Sequence, residues 1–204
     1  MPYLIRPRRL LGIATGALLA IAGLPAVAQA ACPTTPVTNP FAQFGDSNDY
    51  SLLSGASFES GTTGWSLTKA AVASGNESYK VRASTDAKSL VVQPTGIAVS
   101  PAFCVGIEHP SFRFFAKQAS GSWATLNVKV RWKDSTGGVH DTTVGSLNGS
   151  SFTSWTPTWS LALASSLPLW MSGQTIQAQI VLDPEDYGGS WAIDDIFIDP
   201  YTRS

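Results

Sequence analysis

The chain has 204 residues, of which only 13% are charged, and its formal net charge at pH 7 is −1. No cluster of Lys and Arg stands out in the part that follows the first 30 residues, which argues against nucleic acid and anionic membranes as partners. The length and a hydrophobic fraction of 44% are enough for one domain with a packed core.

Residues 1–30 have the pattern of a cleaved secretory signal peptide. Three arginines lie among residues 6–9, an apolar stretch covers residues 10–27, and Ala28-Gln29-Ala30 supplies the small residues of a cleavage site. A membrane anchor is the competing interpretation, but the glycines and Pro25 in the apolar stretch favour cleavage. Because no second apolar span follows, we expect a secreted, extracellular protein that has no membrane contact after cleavage.

Residues 31–49 are predicted to be an extended lead-in with few regular elements. Phe41 and Phe44 are its aromatic anchors, and it contains one of the two cysteines of the chain, Cys32. A disulfide with Cys104 is the default in an oxidising compartment. We expect that bond to pin the proline-rich lead-in to the domain that follows.

From residue 50 to residue 204 the chain alternates between short apolar runs and turn residues. The runs are rich in β-branched and aromatic side chains, which predicts an all-β antiparallel sandwich. Only residues 161–171 are candidates for a short helix, which Pro168 limits to about two turns. The predicted strands are residues 65–73, 78–83, 89–93, 97–100, 111–118, 123–133, 139–144, 155–161, 175–183 and 190–198.

Period-two alternation sorts the side chains of three middle strands onto two faces. The outward set combines aromatic rings with amide and charged groups, which is the chemistry that a carbohydrate site needs. Its members are Arg113, Phe115, Trp123, Asn127, Arg131, Gln177 and Gln179. The alternative is an ordinary polar face, with Phe115 or Trp123 covered by residues 161–171.

The last predicted strand is apolar except for the adjacent carboxylates Asp194 and Asp195. Alternation places these two side chains on opposite faces, so they do not form the facing carboxylate pair of a glycosidase. The sequence also contains no nucleophile elbow, zinc-type histidine cluster, phosphate loop or dinucleotide fingerprint. We therefore predict that the protein is not an enzyme.

Residues 55–65 and residues 191–200, with the strands between them, resemble galactose-binding-like jelly-roll domains, a class that includes many secreted carbohydrate-binding modules. A closer resemblance is to small secreted single-domain proteins of actinobacteria with no assigned chemistry. It rests on Phe41-Ala-Gln-Phe44-Gly45-Asp46, Gly75-Asn76-Glu77, Cys104-Val-Gly-Ile-Glu-His109-Pro110 and Arg113-Phe-Phe-Ala116. The resemblance implies an antiparallel jelly roll.

In this class of domains a structural Ca²⁺ commonly binds to the Glu after the early Phe and to an Asp of the last strand. The matching residues are Glu59 and Asp194, with Asp195 as the alternative and Asp86 as a further ligand. A calcium ion needs six to eight oxygen ligands, so backbone carbonyls would have to complete the site. We expect its role to be stability and not catalysis.

The leading functional hypothesis is a secreted, non-catalytic module that binds cell-wall or extracellular glycan. The alternative is a structural or protein-interaction module of the cell envelope that has no sugar ligand. The sequence leaves the oligomeric state open.

Overall fold

The structure is a computed structural model that describes residues 32–121, 123–185 and 187–200. Its 11 strands confirm the all-β antiparallel prediction, and its helical content in these ranges is confined to short 3-10 turns. The 3-10 turns are Ala42–Phe44, Gly149–Ser151 and Ala164–Ser166. The strands are β1 (Ser51–Leu52), β2 (Ser66–Ser74), β3 (Lys88–Val99), β4 (Phe103–Gly106), β5 (Ser111–Gln118), β6 (Thr125–Lys133), β7 (Val139–Asn148), β8 (Thr156–Pro157), β9 (Leu161–Ala162), β10 (Thr175–Pro184) and β11 (Trp191–Ile198).

The proposed signal peptide lies outside the described residues. Within them, no helix is long and apolar enough to cross a membrane.

The strands form one curled antiparallel sheet in the order β7-β6-β10-β3-β11-β5-β8. Strands β1, β2, β4 and β9 join it through β11, β3, β10 and β5, respectively. Strand β3 belongs to both layers of the jelly roll, because its first half pairs with β11 and its second half pairs with β10. The two layers are therefore β7-β6-β10-β4 on one side and β5-β11-β3-β2 on the other.

Strand β3 turns the corner between the layers at Thr95 and Gly96. Thr95 has a positive φ of 60°, and β2 has a bulge at Lys69 directly opposite. A Cβ atom on Gly96 would lie 2.8 Å from the carbonyl oxygens of Gln93 and Lys69. Only glycine permits this close approach of the two backbones.

Two separate hydrophobic clusters stabilise the domain. The main core lies between the layers and includes the inward-facing Leu126, Val128 and Val130 of β6, as alternation predicts. The second cluster, which we call the outer cluster, lies on the far side of the β5-β11 layer. It consists of Phe41, Tyr50, Phe115, Trp155, Ala192 and Phe197.

The lead-in supplies Phe41 to the outer cluster, and Phe44 packs against it. Cys32 forms the predicted disulfide with Cys104, with an S–S distance of 2.03 Å. A backbone bridge between Thr38 and Tyr50 then closes the lead-in against β1. Phe41 is thereby placed directly over β5, with its ring 5.4 Å from that of Phe115.

Several strand predictions need correction. Strand β5 has the predicted bounds, whereas residues 78–83 form turns because the carboxylate of Glu77 accepts the backbone N–H groups of Tyr79 and Val81. Residues 161–171 contain a two-residue strand and one 3-10 turn and no α-helix. Strand β6 begins at Thr125, which leaves Trp123 on the preceding turn.

Candidate functional site

The seven predicted ligand residues do not share one face. Arg113 and Phe115 lie on β5, in one layer, while Asn127, Arg131, Gln177 and Gln179 lie on β6 and β10, in the other layer. Trp123 lies on the turn that precedes β6. Alternation correctly assigns side chains to the two faces of each strand, but it carries no information about which strands share a layer.

Phe115 is fully buried, so its predicted role on an open binding face is wrong. Its ring lies 5.4 Å from Phe41, 5.7 Å from Tyr79 and 5.8 Å from Phe44. The cover therefore comes from the lead-in and from the loop after Glu77, and not from residues 161–171.

Arg113 is also unavailable to a ligand, because its guanidinium is already bound on three sides. Its Nη1 lies 2.6 Å from Asp46 Oδ2, and its Nε donates a 2.7 Å hydrogen bond to the carbonyl of Thr158. Its Cζ lies 4.2 Å above the centre of the Phe41 ring. Arg113 thus fastens the lead-in to β5 through a charge-assisted bond and a cation–π contact.

On the β6-β10 layer, the predicted polar side chains mostly bind one another. Arg131 forms a two-pronged ion pair with Asp141, at 2.7 and 2.8 Å. Gln179 donates to the carbonyl of Ser100, and Asn127 accepts a hydrogen bond from Ser146. A sugar hydroxyl would have to replace these bonds, since the groups are already satisfied.

Gln177 is exposed and lines a groove of about 690 Å³. The groove runs between residues 51–54 and residues 101–104 and also contains His109. Its walls are mainly aliphatic, with Phe103 as an aromatic side chain. Gln177 therefore lies apart from Trp123 and from the outer cluster.

Trp123 keeps the exposure that a sugar platform needs. Its side chain is 78% exposed and stands beside a groove of about 490 Å³. The other residues that line this groove are Gln118, Ala119, Ser120, Gly121, Gly149, Ser150 and Thr153. Hydroxyl and amide groups thus border the indole ring, and we call this arrangement the Trp123 groove.

Close packing of two glycine-containing loops positions Trp123. Gly121 has a φ of +82°, and a Cβ atom there would lie 1.4 Å from the carbonyl oxygen of Gly188. A Cβ atom on Gly188 would in turn lie 2.6 Å from the backbone of Trp123. The second loop carries Tyr187, which is 84% exposed, so two exposed aromatic side chains project from adjacent loops.

A buried group of carboxylates forms a second candidate site, in the middle of β11. The register of β11 against β5 shifts between Asp194 and Phe197, and Asp195 has a φ of +47°. A bulge of this kind interrupts the regular alternation of the strand. The charge of Asp195 raises the pKa of Asp194, so the two carboxylates interact, although alternation predicts that they point to opposite faces.

Asp194 and Asp195 differ in the hydrogen bonds that their carboxylates accept. Asp194 accepts hydrogen bonds from the backbone N–H groups of Glu77 and Asp195, at 2.9 Å each. Neither carboxylate oxygen of Asp195 has a hydrogen-bond partner, although the residue is only 1% exposed. Burial and the neighbouring Asp195 raise the pKa of Asp194 to about 9, and burial and Glu77 raise the pKa of Asp195 to about 7.

The composition of this group fits a hard cation such as Ca²⁺. Asp195 presents two unpartnered oxygens, and Asp86 Oδ2 is also buried without a partner. Besides burial, the charges of Glu77, Asp86 and Glu59 raise the pKa of Asp195, while the charge of Arg82 lowers it. In the described residues no three of these carboxylates bring their oxygens within 4.8 Å of one another, so an ion would have to draw them together. Oxygen ligands of this kind suit Ca²⁺, whose charge would lower the cost of burying them.

The predicted calcium ligands differ in how many of their carboxylate oxygens already accept hydrogen bonds or pair with a cation. Glu59 Oε1 accepts the backbone N–H groups of Ala87 and Lys88, and Asp86 Oδ1 pairs with Arg82 at 2.6 Å. Asp194 is occupied by two N–H donors, so the geometry favours Asp195, the alternative ligand. The sequence did not single out Glu77 for this group; its only signal was the Gly75-Asn76-Glu77 motif.

No protein-family model matches this chain, and no curated protein matches it by sequence. Solved structures do resemble it. The CBM22-1 xylan-binding domain of Xyn10C from Paenibacillus barcinonensis superposes with a TM-score of 0.50 at 17% identity, over 73% of this chain and 94% of that one. The chain therefore shares the jelly-roll fold of this xylan-binding domain.

Two larger solved structures are also similar to this chain over part of their length. The CBM22-1-CBM22-2 tandem of the Paenibacillus barcinonensis Xyn10C has a TM-score of 0.50 at 17% identity, over 74% of this chain and 44% of that chain. The CBM22-1-GH10 part of Clostridium thermocellum Xyn10B has a TM-score of 0.49 at 15% identity, over 73% and 28%. Our chain thus spans less than half of each.

Proposed function

We propose that this protein is a secreted, non-catalytic carbohydrate-binding module whose sugar site is the Trp123 groove. The observation that carries the proposal is the 78% exposed indole of Trp123 beside a groove with hydroxyl and amide groups. Burying an exposed tryptophan is favourable on binding, so such a side chain on a well-packed loop suits recognition.

The chemistry of the Trp123 groove matches that of a sugar ring. A pyranose has an apolar face of C–H groups, which stacks on an indole, and a rim of hydroxyls. The side chains of Gln118, Ser120 and Ser150 line the same groove. Gln118 Nε2 donates to the carbonyl of Ser120, and the Ser150 hydroxyl donates to Asn148, so these two side chains would offer their remaining acceptor positions to the sugar hydroxyls. The similarity in fold to a xylan-binding domain supports a polysaccharide of the cell wall or the extracellular matrix as the ligand.

Affinity electrophoresis of the purified protein in gels that contain xylan, galactan, β-glucan or peptidoglycan fragments tests the proposal. We expect retardation by at least one glycan, and a Trp123→Ala variant should bind it at least about fivefold more weakly, because a stacked ring contributes about 1 kcal/mol or more.

Trp170→Ala is the matched control, since Trp170 is 82% exposed and lies on the turn before β10, whereas Trp123 lies beside the end of β10. Binding that is equally weakened by both substitutions, or no retardation by any glycan, would remove the proposal.

The alternative function, a protein-interaction module of the cell envelope, is favoured by a different feature. Trp170 and Met171 are both strongly exposed, on a turn that Gln174 holds by accepting both of their backbone N–H groups. Under this alternative, an envelope protein is retained in the presence of excess glycan, and Trp170→Ala abolishes the retention while Trp123→Ala does not.

For the buried carboxylates, our proposal is a structural calcium ion held by Asp195, Asp86 and Glu59. Asp195 belongs to the last strand and Glu59 follows β1, so the ion would link the two ends of the domain. When bound, it would supply positive charge to carboxylates that otherwise repel one another. Its role would be in stability, separate from the Trp123 groove.

A further inference from the structure

Strand β2 is an edge strand, and the C-terminal part of its outer edge lacks the features that usually prevent pairing with another strand. Among the described residues it pairs only with β3. Its last five residues, Ala70-Ala-Val72-Ala-Ser74, contain neither a charge nor a proline. Natural proteins usually protect such edges with charges, prolines or a covering segment.

The hydrogen-bond register shows which backbone groups of β2 are unpaired. Gly75 donates its N–H to the carbonyl of Ala87, and the ladder continues with Ala73 opposite Ser89. Bonded and non-bonded pairs alternate along an antiparallel ladder. The N–H and C=O groups of Ala70, Val72 and Ser74 therefore point away from β3.

Among the described residues, no strand pairs with the outer edge of β2. A shallow groove of about 410 Å³ lies beside this edge, on the face of the β2-β3 pair, and three of its seven lining residues are alanines. By contrast, the outer side of β7, at the other end of the strand order, is bordered by the turn Ala164–Ser166, because the Thr142 hydroxyl reaches the carbonyl of Ser166.

We propose that β2 pairs antiparallel with β2 of a second copy of this chain and forms a two-fold symmetric dimer. The free groups of one edge match those of an identical edge when the two-fold axis passes through Val72. Val72 then lies opposite Val72 of the other copy, and Ala70 lies opposite Ser74. All three outward-pointing N–H groups of each copy find a carbonyl acceptor.

Side chains support this register. Ala71 faces Ala73 of the other copy, so small residues permit close contact, and Lys69 faces Gly75. No like charges lie opposite each other, which would otherwise destabilise an antiparallel pair. The β5-β11-β3-β2 layer then continues across the two-fold axis into the second copy.

Sedimentation analysis over a wide range of protein concentration tests the dimer. We expect a reversible monomer–dimer equilibrium. Ser74→Pro removes an N–H that points outward and makes no bond to β3, so the fold is kept while dimerisation weakens about 30-fold, from two lost hydrogen bonds of about 1 kcal/mol each. Ser74→Ala keeps the N–H and is the matched control; it should dimerise like the original protein.

Cross-linking tests the register. Both native cysteines are in the disulfide, so an introduced cysteine is the only free thiol. A mixture of Ala71→Cys and Ala73→Cys proteins should cross-link on oxidation, because Cα atoms of a non-bonded pair lie about 4.5 Å apart. Either variant alone should cross-link far less. A monomer at every concentration, equal dimerisation of the Ser74→Pro and Ser74→Ala proteins, or equal cross-linking in all samples would overturn the proposal.

Discussion

Replacing Asp195 by Asn should change stability with opposite sign in calcium-free and calcium-containing solution. Asn is close in shape to Asp and accepts the positive φ of this position more readily than most residues. The substitution therefore removes a negative charge with little effect on the backbone.

The magnitude follows from the raised pKa. The pKa of Asp195 rises from 3.8 to about 7 on folding, and each unit corresponds to 1.36 kcal/mol, so above pH 7 an uncompensated charge costs about 4 kcal/mol. The buried amide of Asn, without partners, costs about 1–3 kcal/mol. In a chelator at about pH 8 the Asp195→Asn protein should thus be more stable than the original by about 1–3 kcal/mol.

The sign of the pH dependence follows from the same shift. Because the folded-state pKa lies above the unfolded-state value, the folded protein holds its proton longer. Stability without calcium is then full below about pH 4 and falls as the pH rises to about 7. The advantage of Asp195→Asn in chelator should disappear in the acid range.

Calcium should reverse the order, because the original protein has the complete ligand set and the variant lacks one carboxylate. Urea unfolding followed by tryptophan fluorescence, with and without calcium, measures all four free energies of unfolding. Asp183→Asn is a control, since Asp183 forms a surface ion pair with Lys129 and should change stability by less than about 1 kcal/mol. If Asp195→Asn destabilises the protein equally in both solutions, the calcium argument is refuted.

Three further predictions concern the scaffold, and chemical denaturation measures each. Arg113→Met should lower the free energy of unfolding by about 2–4 kcal/mol, because it leaves the partly buried Asp46 without its ion pair. Arg131→Met, at the more exposed face, should lower it by less than about 1 kcal/mol. Equal losses would contradict the anchoring role of Arg113. Gly96→Ala should cost about 1–3 kcal/mol through contact with backbone carbonyls, and an unchanged stability would show that the corner of β3 relaxes freely. Reducing the Cys32–Cys104 disulfide should lower the free energy of unfolding by about 4 kcal/mol. Glycan binding should be unchanged, since neither cysteine lines the Trp123 groove, and loss of binding would count against that site.

Sequence patterns located the strands better than they located the site. Strand β5 has the predicted bounds because its alternating aromatic residues are buried on both sides, by the main core and by the outer cluster. Residues 78–83 have the composition of a strand, but the carboxylate of Glu77 binds their N–H groups and holds turns instead. That contact depends on a side chain placed by the tertiary fold, which a strand pattern does not contain.

For the candidate site, too, the sequence identified residue types and the tertiary structure decided which of them are exposed. Trp123 could be chosen from the sequence as a candidate, and its exposure depends on the contact of two loops through glycines that are 67 positions apart, Gly121 and Gly188. Phe115 was an equally good candidate by pattern. It is buried because Phe41 of the lead-in, 74 positions earlier in the chain, packs over it.

The sequence by itself determined the all-β antiparallel class, the disulfide and the face of most core side chains, because these depend on residue type and on a period of two along each strand. The jelly-roll topology followed from the resemblance to known domains. Only the tertiary structure decided which outward faces stay open. It also decided that Asp195, at a bulge, is the carboxylate left without a partner. Cover and bulges arise from contacts between distant segments, and local periodicity carries no record of them.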